Sequence, residues 1–430
     1  MRQVNNLVES WYEATANRPS YSALAGDITA DVCVVGGGLA GLTVLRECQA
    51  RGLSAVMLEA SRVAAAASGR NGGFVSSGFA LGTEDLAKRV GWDETKALYG
   101  LSRMGTDYVR ETIARHDPAI KHGDGMRVVL RHPDAKGLQD YADLVRSKLG
   151  EEVQVLDVAE TRQLLNSERY WQSLYSPQAF HIHTLRYGLL VAELAVKNGA
   201  RIFEDTSALS AVRDGTEFKV TTPGGTVKAR HVVHCVSALG TRLHRPSGRA
   251  ILPVATYVAV TEPLPQQDAI RTPSAVADTR RAGNYYRLLP DGRILWGGQI
   301  TTRVSEPARL AEVMRRDMVS VFPQLAKARM QYAWAGLMGY ARHMMPLIGQ
   351  DREGQWFATG FGGHGLNTTA MAGLLVARGL AGEDDAWRRF AAFPAQYGFG
   401  QLGRLGVQAT YWRMQWQDRL DERRARKASG

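Results

Sequence analysis

The chain alternates between short apolar runs of strand length and longer segments with helical spacing. The run from Val32 to Val35 has the length and β-branched content of a buried parallel strand. Helical spacing follows through Leu42 and Cys48, and a second apolar run, 54–58, again has strand character. Because strand, helix and strand follow one another within about 30 residues, the pattern predicts a βαβ unit with parallel strands.

The same two patterns continue along the chain. Helical spacing predicts helices at 94–115, 184–198 and 307–320, and apolar runs predict strands at 153–155, 218–221, 232–236, 254–260, 294–296 and 356–358. The strands between Leu252 and Gln299 follow one another without helices, which is typical of an antiparallel sheet. We therefore expect an α/β protein, with a Rossmann-type domain and an inserted α+β domain whose sheet is mixed or antiparallel.

A glycine-rich turn joins the first predicted strand to its helix. Gly36, Gly38 and Gly41 match G-x-G-x-x-G, in which glycines permit a tight turn, close approach of backbone to a pyrophosphate and close helix packing. Glu59 ends the second strand, where a carboxylate can accept hydrogen bonds from ribose hydroxyls and repels a 2′-phosphate. The turn therefore predicts dinucleotide binding, with FAD and NAD both open at this point.

A second G-x-G-x-x-G spans residues 360–365, after a predicted strand and before a helical segment, 369–380. It is not followed by another βαβ unit with an acidic strand end, because Glu383, Asp384 and Asp385 lie on a predicted turn. We therefore expect no second dinucleotide.

Composition and charge narrow the class of protein. The 430 residues suit two domains, and the net charge of +11 is scattered except near the C-terminus, where acids are interspersed. We expect no nucleic-acid partner and favour an anionic substrate or a membrane surface as the reason for the surplus. No C-x-x-C occurs, and His181 and His183 lack further metal-ligating neighbours, so no metal site is expected. No apolar stretch of about 18 residues and no signal-peptide core occur, so we expect a cytoplasmic location, with a membrane-peripheral one as the alternative.

Several motifs resemble those of one enzyme superfamily. Residues 67–73, Ala-Ser-Gly-Arg-Asn-Gly-Gly, are similar to a signature of the D-amino-acid oxidase and sarcosine oxidase superfamily of FAD-dependent oxidoreductases, in particular its gamma-glutamylputrescine oxidoreductase branch. Segments 11–17, 286–293 and 360–365 extend the resemblance over nearly the whole chain. By composition alone, residues 61–73 could be an ordinary flexible loop. The resemblance implies that they contact the flavin, which selects FAD over NAD.

The resemblance also implies a set of FAD-binding residues. They comprise the pyrophosphate turn, the ribose carboxylate, the loop that contacts the flavin ring, a backbone contact to adenine at Leu209, and the second glycine turn, whose helix N-terminus points at the flavin pyrimidine. The predicted set is Gly36, Gly38, Leu39, Ala40, Gly41, Glu59, Ala60, Ser61, Arg62, Ala67, Ser68, Arg70, Asn71, Gly72, Gly73, Leu209, Gly240, Gly362, Gly363, His364, Gly365, Leu366 and Asn367. Some relatives attach FAD through a cysteine near the late flavin-contacting segment, which here reads Ala341, Arg342 and His343, so noncovalent FAD is expected.

The activity implied is oxidation of the C–N bond of an amine, by hydride transfer to flavin N5 and hydrolysis of the imine to an aldehyde or keto product. Aromatic side chains can bind an amine through cation–π attraction, and an arginine can bind a carboxylate. The substrate-site candidates are Tyr257, Tyr286, Arg287, Trp334 and His343, with Tyr340 and Arg342 beside them. The alternatives are core packing for the aromatic residues, a turn pairing with Asp291 for Arg287 and a structural role for His343.

The substrate stays open at this point. We expect a gamma-glutamylputrescine-like or related secondary or primary amine, but Phe74 stands where the branch commonly has glutamine. A D-amino acid or glycine-type dehydrogenase that passes electrons to quinone is the alternative enzyme, and an FAD-binding regulatory or assembly subunit is the alternative outside enzymes. The electron acceptor is oxygen or quinone. Residues 400–420 are amphipathic, and either pack on the body of the protein or contact a membrane.

These inferences predict a division of the chain. Residues 1–30 form an N-terminal arm, and 31–90, 150–245 and 345–390 form a discontinuous FAD-binding domain. Residues 91–149 and 246–344 form the substrate domain, and 391–430 form a basic amphipathic C-terminal segment.

Overall fold

The computed structural model describes residues 10–238, 243–281 and 283–428. The α-helices are α1 (Trp11–Ala14), α2 (Leu39–Ala50), α3 (Ala67–Arg70), α4 (Thr83–Val90), α5 (Trp92–His116), α6 (Ala135–Leu149), α7 (Val158–Leu164), α8 (Thr184–Lys197), α9 (Arg245–Ala250), α10 (Leu310–Val321), α11 (Gly365–Leu380) and α12 (Gly400–Ala428). Short 3-10 helices cover Pro118–Ile120, Pro323–Leu325 and Ala386–Ala392.

The strands fall into two sheets. They are β1 (Ile28–Val35), β2 (Ala55–Leu58), β3 (Phe74–Val75), β4 (Lys121–Val129), β5 (Gln154–Leu156), β6 (Ser173–Ile182), β7 (Arg201–Phe203), β8 (Ser210–Asp214), β9 (Glu217–Thr222), β10 (Gly225–His234), β11 (Leu252–Thr261), β12 (Ala275–Asp278), β13 (Tyr285–Leu288), β14 (Ile294–Thr301), β15 (Met330–Tyr340), β16 (Leu347–Gln350) and β17 (Trp356–Thr359).

The first sheet contains the predicted βαβ unit. Its order is β16-β17-β10-β1-β2-β7, with β17, β10, β1, β2 and β7 parallel and β16 antiparallel to β17. Residues 32–35 of β1 are buried, as expected for a parallel strand covered on both faces. Because the carboxyl ends of parallel strands meet at one edge, the loops that begin at residues 36, 59, 235 and 360 lie together.

The second sheet is mixed, as the sequence predicted. Its order is β15-β11-β14-β13-β12-β4-β6-β3, with β5 paired to β6; β4 and β12 are parallel and the other pairs are antiparallel. Its outer face packs against α10, where Met314 and Met318 join Trp296 in one hydrophobic cluster. Its inner face turns towards the first sheet.

Two parts of the predicted domain division are wrong. Strands β5 and β6 fall within 150–245, yet both belong to the second sheet, as does β3. The alternation of a half-buried strand looks the same in either sheet, so the sequence could not distinguish them. Helix α5 was expected in the substrate domain but packs on α11, because Gly105 lets the helices approach closely at Asn367. The remaining boundaries stay predictions.

The two ends of the described chain dock on this body. In the arm, Trp11 and Tyr12 are buried, and Trp11 Nε1 donates to Asp291. Helix α12 docks through ion pairs, with Glu422 Oε1 at 2.8 Å from Arg280 Nε and Asp418 Oδ1 at 2.7 Å from Arg281 Nη1. Packing of the C-terminal segment on the body is therefore observed. No helix within the described ranges combines the length and hydropathy needed to cross a bilayer.

Candidate FAD site

The first glycine turn has the geometry that its motif predicts. Gly36 has φ +108°, and a Cβ placed on it would lie 2.8 Å from the Cys235 carbonyl oxygen. A Cβ on Gly41 would overlap the Gly36 carbonyl oxygen. Glycine is therefore needed at both positions, first for the left-handed turn and then for close packing of α2 on its strand. The helix N-terminus consequently faces the common edge of the first sheet.

Two polar side chains fix the entrance to α2. Ser68 Oγ accepts a hydrogen bond of 2.9 Å from the Leu39 amide, which lies at the helix N-terminus. The Glu59 carboxylate accepts from the amides of Gly37, at 2.6 Å, and Ser61, at 2.8 Å. Burial raises the pKa of Glu59, and these amide hydrogen bonds oppose the increase. The carboxylate is thus held at the end of β2 beside the turn, where a ribose ligand is expected.

The loop at 67–73 is an ordered structure rather than a flexible connection. Asn71 Nδ2 donates to the carbonyl oxygens of Ala67, at 2.9 Å, and Ser68, at 3.0 Å. Asn71 Oδ1 accepts from the Gly73 amide at 2.9 Å. A single amide side chain therefore ties both ends of the loop together.

The loop lies directly on the inner face of the second sheet. A Cβ on Gly72 would come within 2.7 Å of the Tyr285 ring, and a Cβ on Gly73 would overlap the Ile182 carbonyl oxygen. Trp334 Nε1 donates to the Arg70 carbonyl oxygen at 2.9 Å. The flanking glycines thus permit a separation that larger residues would prevent.

The second glycine turn brings the start of α11 to the same region. Gly362 has φ +59°, and a Cβ on it would lie 2.7 Å from the Tyr340 ring. His364 Nε2 lies 3.1 Å from the Ser76 carbonyl oxygen, and Asn367 Nδ2 donates to the Gly78 carbonyl oxygen at 3.0 Å. Burial lowers the pKa of His364, and its contact with the Ser76 carbonyl opposes the decrease. The turn therefore joins the loop at 76–78 to the inner face of the second sheet.

The model of the FAD dependent oxidoreductase family matches residues 31–378. The chain belongs to this family. It is 30% identical to the gamma-glutamylputrescine oxidoreductase of Escherichia coli, over 90% of this chain and 92% of that protein. It is also 30% identical to the probable oxidoreductase OrdL of Haemophilus influenzae, over 91% and 93% of the two chains. The solved glycine oxidase of Geobacillus kaustophilus has the same fold, with a TM-score of 0.74, 20% identity and coverage of 86% and 98%.

FAD is the cofactor of this family, and the residues present fit it. The amide end of α2 suits a pyrophosphate, and Glu59 stands beside it, where the motif places a ribose ligand. Ala60 and Ser61 follow Glu59, Ala40 lies in the first turn of α2, and Leu366 is buried in the first turn of α11. Their contacts with FAD stay predictions.

Three of the predicted FAD contacts need separate comment. Leu209 is 61% exposed, and its amide donates to the Thr221 carbonyl oxygen at 2.8 Å, so the predicted backbone contact to adenine would have to use its carbonyl oxygen and stays a prediction. Arg62 pairs with Glu204, at 2.8 Å from Nε to Oε2, which engages it within the protein. Gly240 lies outside the described residues.

Arg287 is buried beneath the loop at 67–73, which we call the ring loop after its predicted contact with the flavin. Neutral groups surround the guanidinium. Nε donates to the Gly72 carbonyl oxygen at 2.8 Å, and Nη1 lies 2.9 Å from His122 Nδ1 and 3.1 Å from His181 Nδ1. Nη2 donates to the Tyr12 hydroxyl at 3.1 Å and to the Ile182 carbonyl oxygen at 2.8 Å. The prediction that this guanidinium binds a substrate carboxylate is therefore wrong. The predicted pairing with Asp291 is also wrong, because Arg293 takes that carboxylate at 2.9 Å.

The histidines around Arg287 are kept uncharged. Burial, followed by the nearby Arg287 charge, lowers the pKa of His122 to about 2 and that of His181 to about 3. The same two causes lower the pKa of His183 to about 3. His181 Nε2 contacts the Pro273 carbonyl oxygen, and within the described ranges no group of three metal-ligating side chains occurs. His122 and His181 therefore solvate a buried cation, while His183 contacts Thr15 Oγ1 and the Arg186 amide.

Two aromatic candidates, Tyr286 and Tyr257, lie on the outer face of the second sheet, away from the loop at 67–73. Tyr286 stacks on Trp296 with ring centroids 4.7 Å apart, and its hydroxyl donates to the Tyr170 hydroxyl at 3.0 Å. Tyr257 belongs to the same outer cluster. Strand alternation places the neighbouring Tyr285 on the inner face, against the ring loop. The sequence reasoning therefore missed Tyr285 by one position, although alternation with Arg287 could have identified it.

The other substrate-site candidates, His343, Trp334 and Arg342, make contacts within the protein. His343 Nδ1 accepts from the Met345 amide at 3.1 Å, and its Nε2 lies 3.2 Å from the Pro394 carbonyl oxygen. Both nitrogens thus contact backbone, as the structural alternative expects, and a proton-handling role for His343 stays a prediction. Trp334 is fully buried and holds the loop, while Arg342 lies over the Phe399 ring.

Proposed function

We propose that this enzyme oxidises the C–N bond of a gamma-glutamylputrescine-like or related secondary or primary amine. The observation that carries the proposal is the aromatic inner face at Tyr285, which lies against the ring loop and can attract an amine. The similarity to the Escherichia coli protein supports the same substrate class. When bound, FAD supplies the electron acceptor for this oxidation.

The inner face also offers room and hydrogen-bonding groups to a substrate. A Cβ on Gly336 would meet nothing closer than 3.9 Å, so the sheet is open there beside the Arg70 backbone. The Tyr285 hydroxyl lies 3.5 Å from Thr256 Oγ1. Burial raises the pKa of Tyr285 to about 12, so the hydroxyl keeps its proton at neutral pH. It would therefore orient the bound amine as a hydrogen-bond donor or acceptor and would not act as a base.

Anaerobic bleaching of the flavin tests the substrate class. Purified protein with bound FAD is mixed with gamma-glutamylputrescine, putrescine, sarcosine, glycine or D-alanine, and the decrease in flavin absorbance is followed. We expect a gamma-glutamylated or simple amine to reduce the flavin fastest. Faster reduction by D-alanine or glycine would instead assign the amino acid dehydrogenase. Reduction by none of a broad amine panel would favour an FAD-binding subunit.

The mode of FAD binding and the location belong to the same proposal. FAD is held noncovalently, because the late flavin-contacting segment reads Ala341, Arg342 and His343 and contains no cysteine. Burial also raises the pKa of the three cysteine thiols, Cys33, Cys48 and Cys235. Acid precipitation should release yellow FAD into the supernatant, and flavin retained on the washed pellet would contradict this. Oxygen or quinone reoxidises the enzyme, and timed reoxidation in air after anaerobic reduction distinguishes them. The enzyme acts in the cytoplasm.

A further inference from the structure

Helix α12 has an inner face that is fully engaged with the body of the protein. Gln408 Oε1 accepts from the Thr302 amide at 2.9 Å, and Arg404 Nη2 donates to the Thr302 carbonyl oxygen at 2.7 Å. Farther along, Asp418 and Glu422 pair with arginines of the second sheet region. The acids at 418 and 422 thus face inwards and are neutralised there.

The outer face of α12 carries large apolar side chains. Leu402 is 75% exposed, Leu405 67%, Trp412 59% and Trp416 60%. At 100° per residue these four positions fall within one stripe of about 80° along the helix, and the small Ala409 lies in the same stripe. Just before the helix, Tyr397 and Phe399 are also exposed. We call the four side chains on α12 the outer stripe.

Positive charge flanks the outer stripe. Arg413, Arg419 and Arg423 are exposed, and no ion pair to them occurs among the described residues. Because the helix's acids at 418 and 422 are paired inwards, they do not neutralise these arginines. Tryptophan, leucine and arginine on one face are the combination found in helices that lie in a lipid interface. The family match ends at residue 378, so this helix lies outside the matched region.

We propose that the outer stripe binds the surface of an anionic lipid bilayer, with α12 lying parallel to the membrane plane. The tryptophan rings would enter the headgroup region while the arginines contact lipid phosphates. A second copy of the chain fits this surface less well. Pairing of two identical faces would bring the same arginines of both copies together, with no exposed carboxylate on the stripe to offset them. The inference does not depend on which amine is oxidised.

Co-sedimentation of the complete, FAD-loaded protein with vesicles tests the proposal. We expect it to pellet with phosphatidylcholine vesicles that contain phosphatidylglycerol and to stay in solution with phosphatidylcholine alone. Arg413→Gln with Arg419→Gln should weaken binding about 25-fold, at about fivefold for each arginine. Trp412→Ser with Trp416→Ser should abolish it.

A matched control distinguishes binding through the outer stripe from nonspecific adsorption of exposed apolar side chains. Val212→Ser removes an exposed apolar side chain on β8, away from the predicted FAD and substrate residues, and should leave vesicle binding unchanged. Flavin absorbance and the rate of flavin reduction should be unchanged in every variant, which shows that each one folds. Absence of binding to anionic vesicles would overturn the proposal, as would equal binding by the tryptophan variant. A dimer that this variant dissociates, without vesicle binding, would assign the face to a second copy.

Discussion

The histidine cluster around Arg287 should make the protein sensitive to mild acid. His122, His181 and His183 have folded-state pKa values of about 2, 3 and 3, against 6.5 when unperturbed. Between these values the unfolded chain binds protons that the folded chain does not. The stability that the neutral histidines contribute is therefore fully present above pH 6.5 and is lost as pH falls towards their folded pKa.

The size of the loss follows from the proton uptake of each histidine. Between pH 7 and 5.5, one histidine that stays neutral when folded and titrates near 6.5 when unfolded costs about 1.3 kcal/mol of unfolding free energy. For the three together the loss is about 4 kcal/mol. That is a large fraction of the ~5–15 kcal/mol that holds a typical domain folded.

Urea unfolding followed by tryptophan fluorescence at pH 7.0 and 5.5 measures this loss. His122→Asn removes one titrating group and should reduce the pH-dependent loss by about 1.3 kcal/mol relative to the wild type. Gln139→Asn, at an exposed position without a titrating side chain, is the control and should leave the loss unchanged. The His122→Asn variant also alters the hydrogen bond to Arg287, but it does so at both pH values. Its effect on the unfolding free energy therefore cancels when the value at pH 5.5 is subtracted from that at pH 7.0. An equal pH-dependent loss in the two variants would refute the reasoning.

Two further predictions concern the cofactor and substrate faces. Gly41→Ala should weaken FAD binding by about tenfold or more, because its Cβ would overlap the Gly36 carbonyl oxygen. Gly100→Ala has open space around its Cβ and should keep full flavin absorbance. Equal flavin content in the two variants would contradict the packing argument. Tyr285→Phe should slow anaerobic flavin reduction. Tyr286→Phe should lower the unfolding free energy in urea by about 1 kcal/mol and leave flavin reduction unchanged. The reverse result would assign the substrate to the face of the second sheet that carries Tyr286.

The sequence could predict what depends on neighbouring residues. The first βαβ unit and its glycine turn follow from local periodicity and a local motif, and both appear in the structure. Side-chain direction in the second sheet is different. Two adjacent tyrosines at 285 and 286 must face opposite sides of β13, but which side is inner depends on the loop at 72–73, far away in the chain. Sheet membership of β6 likewise depends on pairing with β4, which no local pattern encodes.

Arg287 shows how such distant contacts determine both the charge and the stability of the site. Asp291 is close in sequence, but the turn gives that carboxylate to Arg293, and Arg287 instead points under the ring loop. There its hydrogen-bonding partners are neutral, and Tyr12 of the N-terminal arm is one of them. The Arg287 guanidinium both disfavours protonation of the histidines and donates to the Gly72 carbonyl oxygen. Acid that protonates the histidines should therefore also disturb the loop at 67–73. Release of FAD and unfolding are therefore expected to occur over the same pH range.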